Sequence, residues 1–237
     1  MDSVLWTEKC MRGKHCFLYR PGNADALLIQ PIAAHDPGAP EQTVENIKMR
    51  TTVPFTFVAF QIDDWNRELP PWEAPAVFGR ETFGAGAAET LAWITDVLLP
   101  ELERTEKIEK CLLGGYSLAG LFALWAAYQT DRFRGIAAVS PSVWFPGWER
   151  YTASNRIRSP EVYLSLGDRE EKTRNRTMAT VGENIRLQYE RLRHTDFIKR
   201  CVLEWNSGDH FRSPDYRTAK GFAWLLNGFS DHERNQL

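Results

Sequence analysis

Gly114-Gly115-Tyr116-Ser117-Leu118-Ala119-Gly120 sets one serine among small residues at a point where a short apolar strand must turn sharply into a helix. A nucleophile elbow needs this arrangement. The serine sits at a strained tip with its hydroxyl projecting above the sheet edge, and the N–H of the next residue, Leu118, points at the oxygen that becomes negative during acyl transfer. The usual G-x-S-x-G spacing ends here on Ala119, with Gly120 one place later. Alanine is small enough to keep the helix close to the strand.

A serine hydroxyl is a weak nucleophile until a base takes its proton, and in a sheet of this kind the chain order is serine, acid, histidine. The sequence contains five histidines, of which His194, His210 and His232 follow Ser117. His194 ends a polar helical stretch and His232 lies in a charged tail. His210, in Asn206-Ser207-Gly208-Asp209-His210-Phe211, occupies a turn after the last predicted strand, where α/β enzymes keep their sites. The acid should follow the preceding strand, and Gly167-Asp168-Arg169-Glu170-Glu171 offers three carboxylates there. Glu170, three residues beyond the strand-ending glycine, is the first choice, Asp168 the second and Glu171 the third. A solvated acidic turn beside a Ser–His dyad is the simpler alternative.

These residues require a sheet to hold them, and the hydrophobic pattern predicts one. Lys14 to Tyr19 and Ala26 to Ile32 flank a Pro21-Gly22-Asn23 turn and read as an antiparallel entry pair, while Phe55 to Ile62 has the continuous apolar character of a strand buried on both faces. Leu91, Ile94, Leu98 and Leu102 recur at helical spacing, with Pro100 warning of a kink. From Lys110 the alternation is regular: strands at Lys110 to Tyr116, Phe133 to Val139, Val162 to Leu166 and Cys201 to Trp205. Helical faces lie between and after them, led by Leu118-Leu121-Phe122-Trp125-Tyr128, Val181-Ile185-Tyr189-Leu192 and Phe222-Leu225-Leu226-Phe229. The pattern is that of an α/β fold with a mostly parallel central sheet and helices on both faces. Two long irregular stretches remain, Ala33 to Glu41 and the proline-rich Leu69 to Pro75.

Composition agrees with a single domain over residues 1–237. The chain is 43% hydrophobic and 25% charged, with 29 basic and 31 acidic residues, which supplies a core without the footprint of a nucleic-acid or membrane binder. Cys10, Cys16, Cys111 and Cys201 are unevenly spread and include no CxxC, so four reduced thiols are expected rather than a disulfide framework or zinc site. The first residues lack a signal-peptide core, and a cytoplasmic location is expected. Neither His35-Asp36 nor Gly84-Ala85-Gly86 has the context of a metal or dinucleotide motif, so no metal and no cofactor is called for.

With these residues in hand, the sequence resembles the Putative esterase family of α/β-hydrolases, the group that includes esterase D (S-formylglutathione hydrolase) and the enterochelin esterases. The resemblance is carried by Gly115-Tyr116-Ser117-Leu118-Ala119-Gly120-Leu121, Ser140-Pro141-Ser142-Val143-Trp144-Phe145, the Gly167 to Glu170 turn and Gly208-Asp209-His210-Phe211. Ile62 to Pro70 is similar to the arginine-and-glutamate loop of enterochelin esterase-like members, though Arg67 and Glu68 also read as a structural ion pair. The resemblance implies the α/β-hydrolase fold, with Ser117 as nucleophile and His210 as base. It also implies an oxyanion hole that joins the Leu118 N–H to one from the loop after Ile29-Gln30. Pro31 has no N–H, which leaves Ile32 or Ala33.

The expected activity is hydrolysis of a small-molecule carboxylic ester or thioester through an acyl-enzyme on Ser117. An acyltransferase using the same site, or a non-catalytic hydrolase-like binding protein, is the alternative. No cluster of basic residues stands out around the expected mouth to favour a large polyanionic siderophore ester. Of the nine tryptophans, Trp125 and Trp224 are predicted in the core, whereas Trp65, Trp72, Trp144 and Trp148 lie in connections where they either line a pocket or pack under a loop.

Overall fold

Eight strands form one mixed sheet in the computed structural model, which describes residues 5–34 and 39–234. The chain opens with β1 (Trp6–Met11), β2 (Lys14–Tyr19) and β3 (Ala26–Ala33), then α1 (Ala39–Lys48), β4 (Phe55–Ile62) and the short α2 (Trp65–Glu68). A long helix follows as α3 (Ala87–Trp93), a π-helical stretch (Ile94–Leu98) and α4 (Leu99–Glu103). The second half alternates: β5 (Lys110–Tyr116), α5 (Leu118–Gln129), β6 (Gly135–Val139), α6 (Trp148–Ser154), β7 (Glu161–Gly167), a 3-10 turn (Glu170–Lys172), α7 (Arg176–Ala179), α8 (Val181–Arg193), β8 (Arg200–Asn206) and α9 (Pro214–Arg234). The strand order is β1-β2-β4-β3-β5-β6-β7-β8.

From β4 to β8 along that order every pairing is parallel, while β1–β2 and β2–β4 are antiparallel. The expected β2–β3 entry pair is therefore replaced. β2 takes β1 and β4 as neighbours, and β3 lies between β4 and β5. Arg12 and Gly13, both at positive φ, close the β1–β2 hairpin. β1 itself escapes a hydrophobic-pattern reading because it is an edge strand whose residues Thr7 to Cys10 are all exposed. The α1 helix also goes unpredicted: beyond Val44 and Ile47 it has little apolar character, and α9, far along the chain, supplies the surface that covers it.

β4 makes the two-faced core explicit. Val58, Phe60 and Ile62 point into the layer that includes α3, α5 and α8, whereas Phe55, Phe57 and Ala59 point into the layer under α1 and α9. Both sets are buried, so period-two alternation is invisible in the sequence. α5 behaves likewise. Every residue from Leu118 to Tyr128 is buried, as expected of a helix enclosed on all sides. In the long helix, Pro100 lacks the N–H that would return to Asp96, and the Leu99 N–H reaches back to Ile94 O across a widened turn. The expected kink is thus absorbed as a π stretch.

Parallel strands direct their carboxyl ends to one edge, so the segments after β5, β6, β7 and β8 converge there. The packing beneath them is tight. A Cβ on Gly115 would lie 2.5 Å from the Ala119 backbone, and one on Gly120 would lie 2.9 Å from Gly115 O and 3.1 Å from Val139 O. The close approach falls at Gly115 and Gly120, and Ala119 is accommodated where the usual motif has glycine.

Candidate active site

Ser117 links β5 to α5 at φ 60° and ψ −122°, a backbone conformation that L residues rarely adopt. The strain is held by the surroundings. Ser117 N–H donates to Val139 O (3.1 Å), and its carbonyl accepts from Leu121 N (3.0 Å) and Ser142 N (3.1 Å). The hydroxyl is left facing out of the turn, with Ser117 Oγ 3.1 Å from His210 Nε2 and 3.4 Å from Ser142 Oγ.

On the other side of the ring, His210 Nδ1 lies 2.7 Å from Glu170 Oε2. The side chain of Glu170 is 4% exposed, and its second oxygen, Oε1, accepts from Gly167 N (2.7 Å), Ser140 Oγ (2.7 Å) and Arg217 Nη2 (2.8 Å). Burial pushes this carboxyl up, but the bonds and charge of His210, with Ser140 and Arg217, outweigh it and hold the pKa at about 2. The group is a carboxylate at any ordinary pH.

This shift couples the site to acid stability. A carboxyl near 4.5 unfolded and about 2 folded stabilises the protein above the unfolded value, and the contribution is lost as pH falls through the folded one. Unfolding free energy should therefore fall between pH 5 and 2 by an amount on the order of 3 kcal/mol traceable to Glu170. Denaturant titrations across this range should show that slope reduced in Glu170→Gln, and an identical slope in both proteins would contradict the assignment.

The three carboxylates of the β7 turn go to different places. Asp168 Oδ1 accepts from Gly208 N (2.9 Å), stitching the turn to the loop that carries His210. Glu171 turns outward to Arg186 (2.9 and 3.2 Å). Only Glu170, the first residue of the 3-10 turn, is directed inward to the imidazole. His194 caps the end of α8 with Nδ1 2.8 Å from Glu190 O, well away from the elbow.

Leu118 is the first residue of α5, so its N–H is among those a helix leaves without an internal partner. The register of β3 separates Ile32 from Ala33. Ala34 N–H donates to Ile62 O of β4, and successive N–H groups of a strand alternate in direction, so the Ala33 N–H points to the opposite edge. That edge faces β5, and the β3–β5 ladder has already ended at Ile29–Leu113.

Arg217, Ser140, Tyr116 and Ser142 also belong to the constellation, with no role assigned to them from sequence. Tyr116 OH donates to His210 O (2.7 Å) and accepts from Arg217 Nη1 (2.8 Å); burial pushes its phenol up to about 12. Tyr116 and the two serines lie within segments the motif reading had marked. Arg217 had no comparable signal beyond its place in the first turn of the helix that follows the His210 loop.

A cleft of about 300 Å³ borders His210 and Glu170, with Trp144, Met178, Val181 and Phe211 among its walls. Arg169 and Lys172 also line it, two cations that the pairing of β7 with β8 brings beside the His210 loop. Phe211 is 87% exposed at its rim. Of the connecting tryptophans only Trp144 is in this wall. Trp148 is core, Trp65 packs half-buried against the core, and Trp72 donates to Pro146 O (2.8 Å) between Phe145 and Tyr151. Trp125 is buried as predicted, whereas Trp224 is half-buried, with the Arg200 guanidinium 4.1 Å from its ring.

Arg67 and Glu68 do not pair with each other. Glu68 accepts from the N–H groups of Asp63 and Asp64 and from Lys14, and Arg67 is 74% exposed beside Asp64. Among the described residues, no group of three or more His, Cys, Asp and Glu side chains is placed to hold a metal, and all four cysteines are free. His35 and Asp36 lie outside the described residues. No helix among the described residues is long and apolar enough to cross a membrane.

A strained serine at the β5–α5 turn, on a sheet of this order, defines a serine hydrolase of the α/β-hydrolase fold. Residues 38–210 match the family described as Putative esterase, and the chain belongs to that family. Solved structures with the same fold include the siderophore hydrolase EstA from Aspergillus nidulans (19% identity, 90% of each chain covered, TM-score 0.73). An IroE-like serine hydrolase from Shewanella oneidensis aligns at 13% identity over 94% of this chain and 81% of its own, with TM-score 0.79. The enterobactin hydrolase IroE, in complex with DFP, aligns at 15% identity over 94% and 95%, with TM-score 0.58. A search of curated proteins finds no match. Family membership makes the protein an ester hydrolase acting on small-molecule substrates.

Proposed function

We propose that the protein hydrolyses carboxylic esters through a covalent acyl-enzyme on Ser117, with His210 as general base and acid and Glu170 as the carboxylate that orients it. The observation that carries this reading is the chain Ser117 Oγ to His210 Nε2 (3.1 Å) and His210 Nδ1 to Glu170 Oε2 (2.7 Å). As Ser117 Oγ bonds to the ester carbonyl carbon, Nε2 takes the hydroxyl proton, and Glu170 stabilises the resulting imidazolium through Nδ1–H. The carbonyl oxygen, now negative, is received by the N–H groups of Leu118 and Ala33. Collapse of this intermediate breaks the bond to the alcohol, which leaves with the proton from Nε2. Water then adds to the acyl carbon, giving its proton to His210, and the acid is released with Ser117 restored.

A fluorophosphonate should react in the same way and stop at the first stage, adding one phosphonyl group per chain. Mass mapping of the labelled peptide tests the assignment: the adduct belongs on Ser117, and an adduct on Ser142 or elsewhere would overturn it. Competition between water and added alcohols separates hydrolysis from acyl transfer, since an acyltransferase would return mostly the new ester.

A narrower reading concerns the substrate. EstA and IroE are described as hydrolases of siderophores and of enterobactin, and the cations Arg169 and Lys172 beside the aromatic wall of Trp144 and Phe211 favour an ester that carries an anionic, aromatic group. A panel pairing siderophore esters with neutral esters of equal size tests it, and equal kcat/KM for both members would remove it.

A further inference from the structure

Arg217 stands on α9, outside the three loops that carry Ser117, Glu170 and His210, yet its side chain is 3% exposed and bonds to four separate segments. Nη2 donates to Glu170 Oε1 (2.8 Å) on the 3-10 turn and to Ser140 Oγ (2.5 Å) after β6. Nη1 donates to Tyr116 OH (2.8 Å) on β5 and to Asp209 O (3.2 Å) in the histidine loop. Burying a guanidinium is costly, and a hydrophobic residue of similar volume would often serve packing as well or better. What a hydrophobic residue could not do is place a planar fork of donors on four acceptors at once.

The bonding divides the Glu170 carboxylate. Oε1 is occupied by Arg217, Ser140 and Gly167, so Oε2 is the oxygen presented to His210 Nδ1. Through Tyr116, which donates to His210 O, and through Asp209 O, the same guanidinium fixes the main chain on which the imidazole is mounted. It also places a permanent positive charge on the far side of the carboxylate that must stabilise the imidazolium.

Resting on the roles proposed above for Ser117, His210 and Glu170, we propose that Arg217 is a positioning residue for ester hydrolysis. It sets the orientation of His210 through Glu170, Tyr116 and Asp209, and it limits how tightly the carboxylate holds the protonated ring. The other groups that face His210 are Ser117 from the elbow, Tyr116 from β5 and Glu170 from the 3-10 turn. Arg169, Lys172 and Asp209 share its cleft, Asp168 holds Gly208 in its loop, and the Arg212 side chain lies against Gly208. None of these cations bonds to Glu170, so loss of Arg217 leaves the carboxylate's charge facing the imidazole uncompensated.

The test uses kcat/KM against pH with nitrophenyl butyrate for the wild type, Arg217→Met and Arg217→Lys, with Arg217→Met repeated in a Glu170→Gln background. Arg217→Met should lower kcat/KM by about 100-fold and move its acid limb up by about one pH unit, because an uncompensated carboxylate favours the protonated imidazole. Arg217→Lys keeps the charge and loses the fork; its limb should stay in place while kcat/KM falls by about tenfold. In Glu170→Gln, adding Arg217→Met should cost no more than about tenfold, since the route through Glu170 is already lost and only those through Tyr116 and Asp209 remain.

A purely structural Arg217 would give the same loss in both backgrounds with an unmoved limb, and that result would overturn the proposal. Wild-type rates in Arg217→Lys would overturn it too. If Arg217→Met does not fold, the lysine variant and the double variant carry the test. A Glu170→Gln enzyme with wild-type kcat/KM would instead refute the underlying role of Glu170, which keeps the two failures distinguishable.

Discussion

Ser117→Ala is expected to reduce kcat/KM for a short-chain nitrophenyl ester by about 10⁵-fold, and His210→Ala by a similar factor. The size follows from the unit these residues form: among the described residues His210 is the base bonded to the Ser117 hydroxyl, and Ser117 is the nucleophile aligned on its Nε2. The double variant should therefore be scarcely worse than either single one, because removing one member already removes the covalent pathway. Truncation at Ser117 should leave the fold intact. Among the described residues its Oγ bonds to His210 and Ser142 alone, while the strained backbone is held by bonds from the main chain to Val139, Leu121 and Ser142. Thermal unfolding should thus be little changed. Retention of a tenth or more of the activity by Ser117→Ala would place the nucleophile elsewhere.

Glu170→Gln should cost about 10³- to 10⁴-fold in kcat, for a reason specific to its surroundings. Gly167 N–H, Ser140 Oγ and Arg217 surround one oxygen with donors, so the amide will place its carbonyl there and turn its NH₂ toward His210 Nδ1. Nδ1 must then accept, the ring proton moves to Nε2, and the imidazole presents an N–H to Ser117 where a lone pair is required. Raising the pH would not restore activity, because the fault is in the tautomer and not in the charge. Asp168→Asn, at a carboxylate that accepts from Gly208 N, should cost no more than about tenfold through a looser histidine loop. Steady-state kinetics of the two variants decide between the carboxylates, and the reverse ranking would make Asp168 the acid.

Much of the second half of the molecule could be read from its residues because each βαβ step is local. Lys110–Tyr116 forms as predicted, and so, in the first half, does Phe55–Ile62, since a run of apolar residues between turn signals has few alternatives. The edges resisted for the same physical reason in reverse. β1 has almost no buried face, and α1 owes its cover to α9, more than 160 residues away in sequence. The mistaken β2–β3 pairing has a related origin: a Pro-Gly-Asn turn reports that the chain changes direction, not which strand will accept its hydrogen bonds.

The elbow, the order of serine, carboxylate and histidine, and the restriction to His210 are properties of the sequence, because chain order and the residue types a sharp turn tolerates are written there. Which of three neighbouring carboxylates meets the imidazole is not. Asp168, Glu170 and Glu171 differ by one or two positions, and the turn that sends them to Gly208, His210 and Arg186 exists only once β7 and β8 are paired. The same is true of the directions in which the Ile32 and Ala33 N–H groups point, which depend on strand register, and of Arg217, whose four acceptors come from four segments that only the sheet order brings within reach of one side chain.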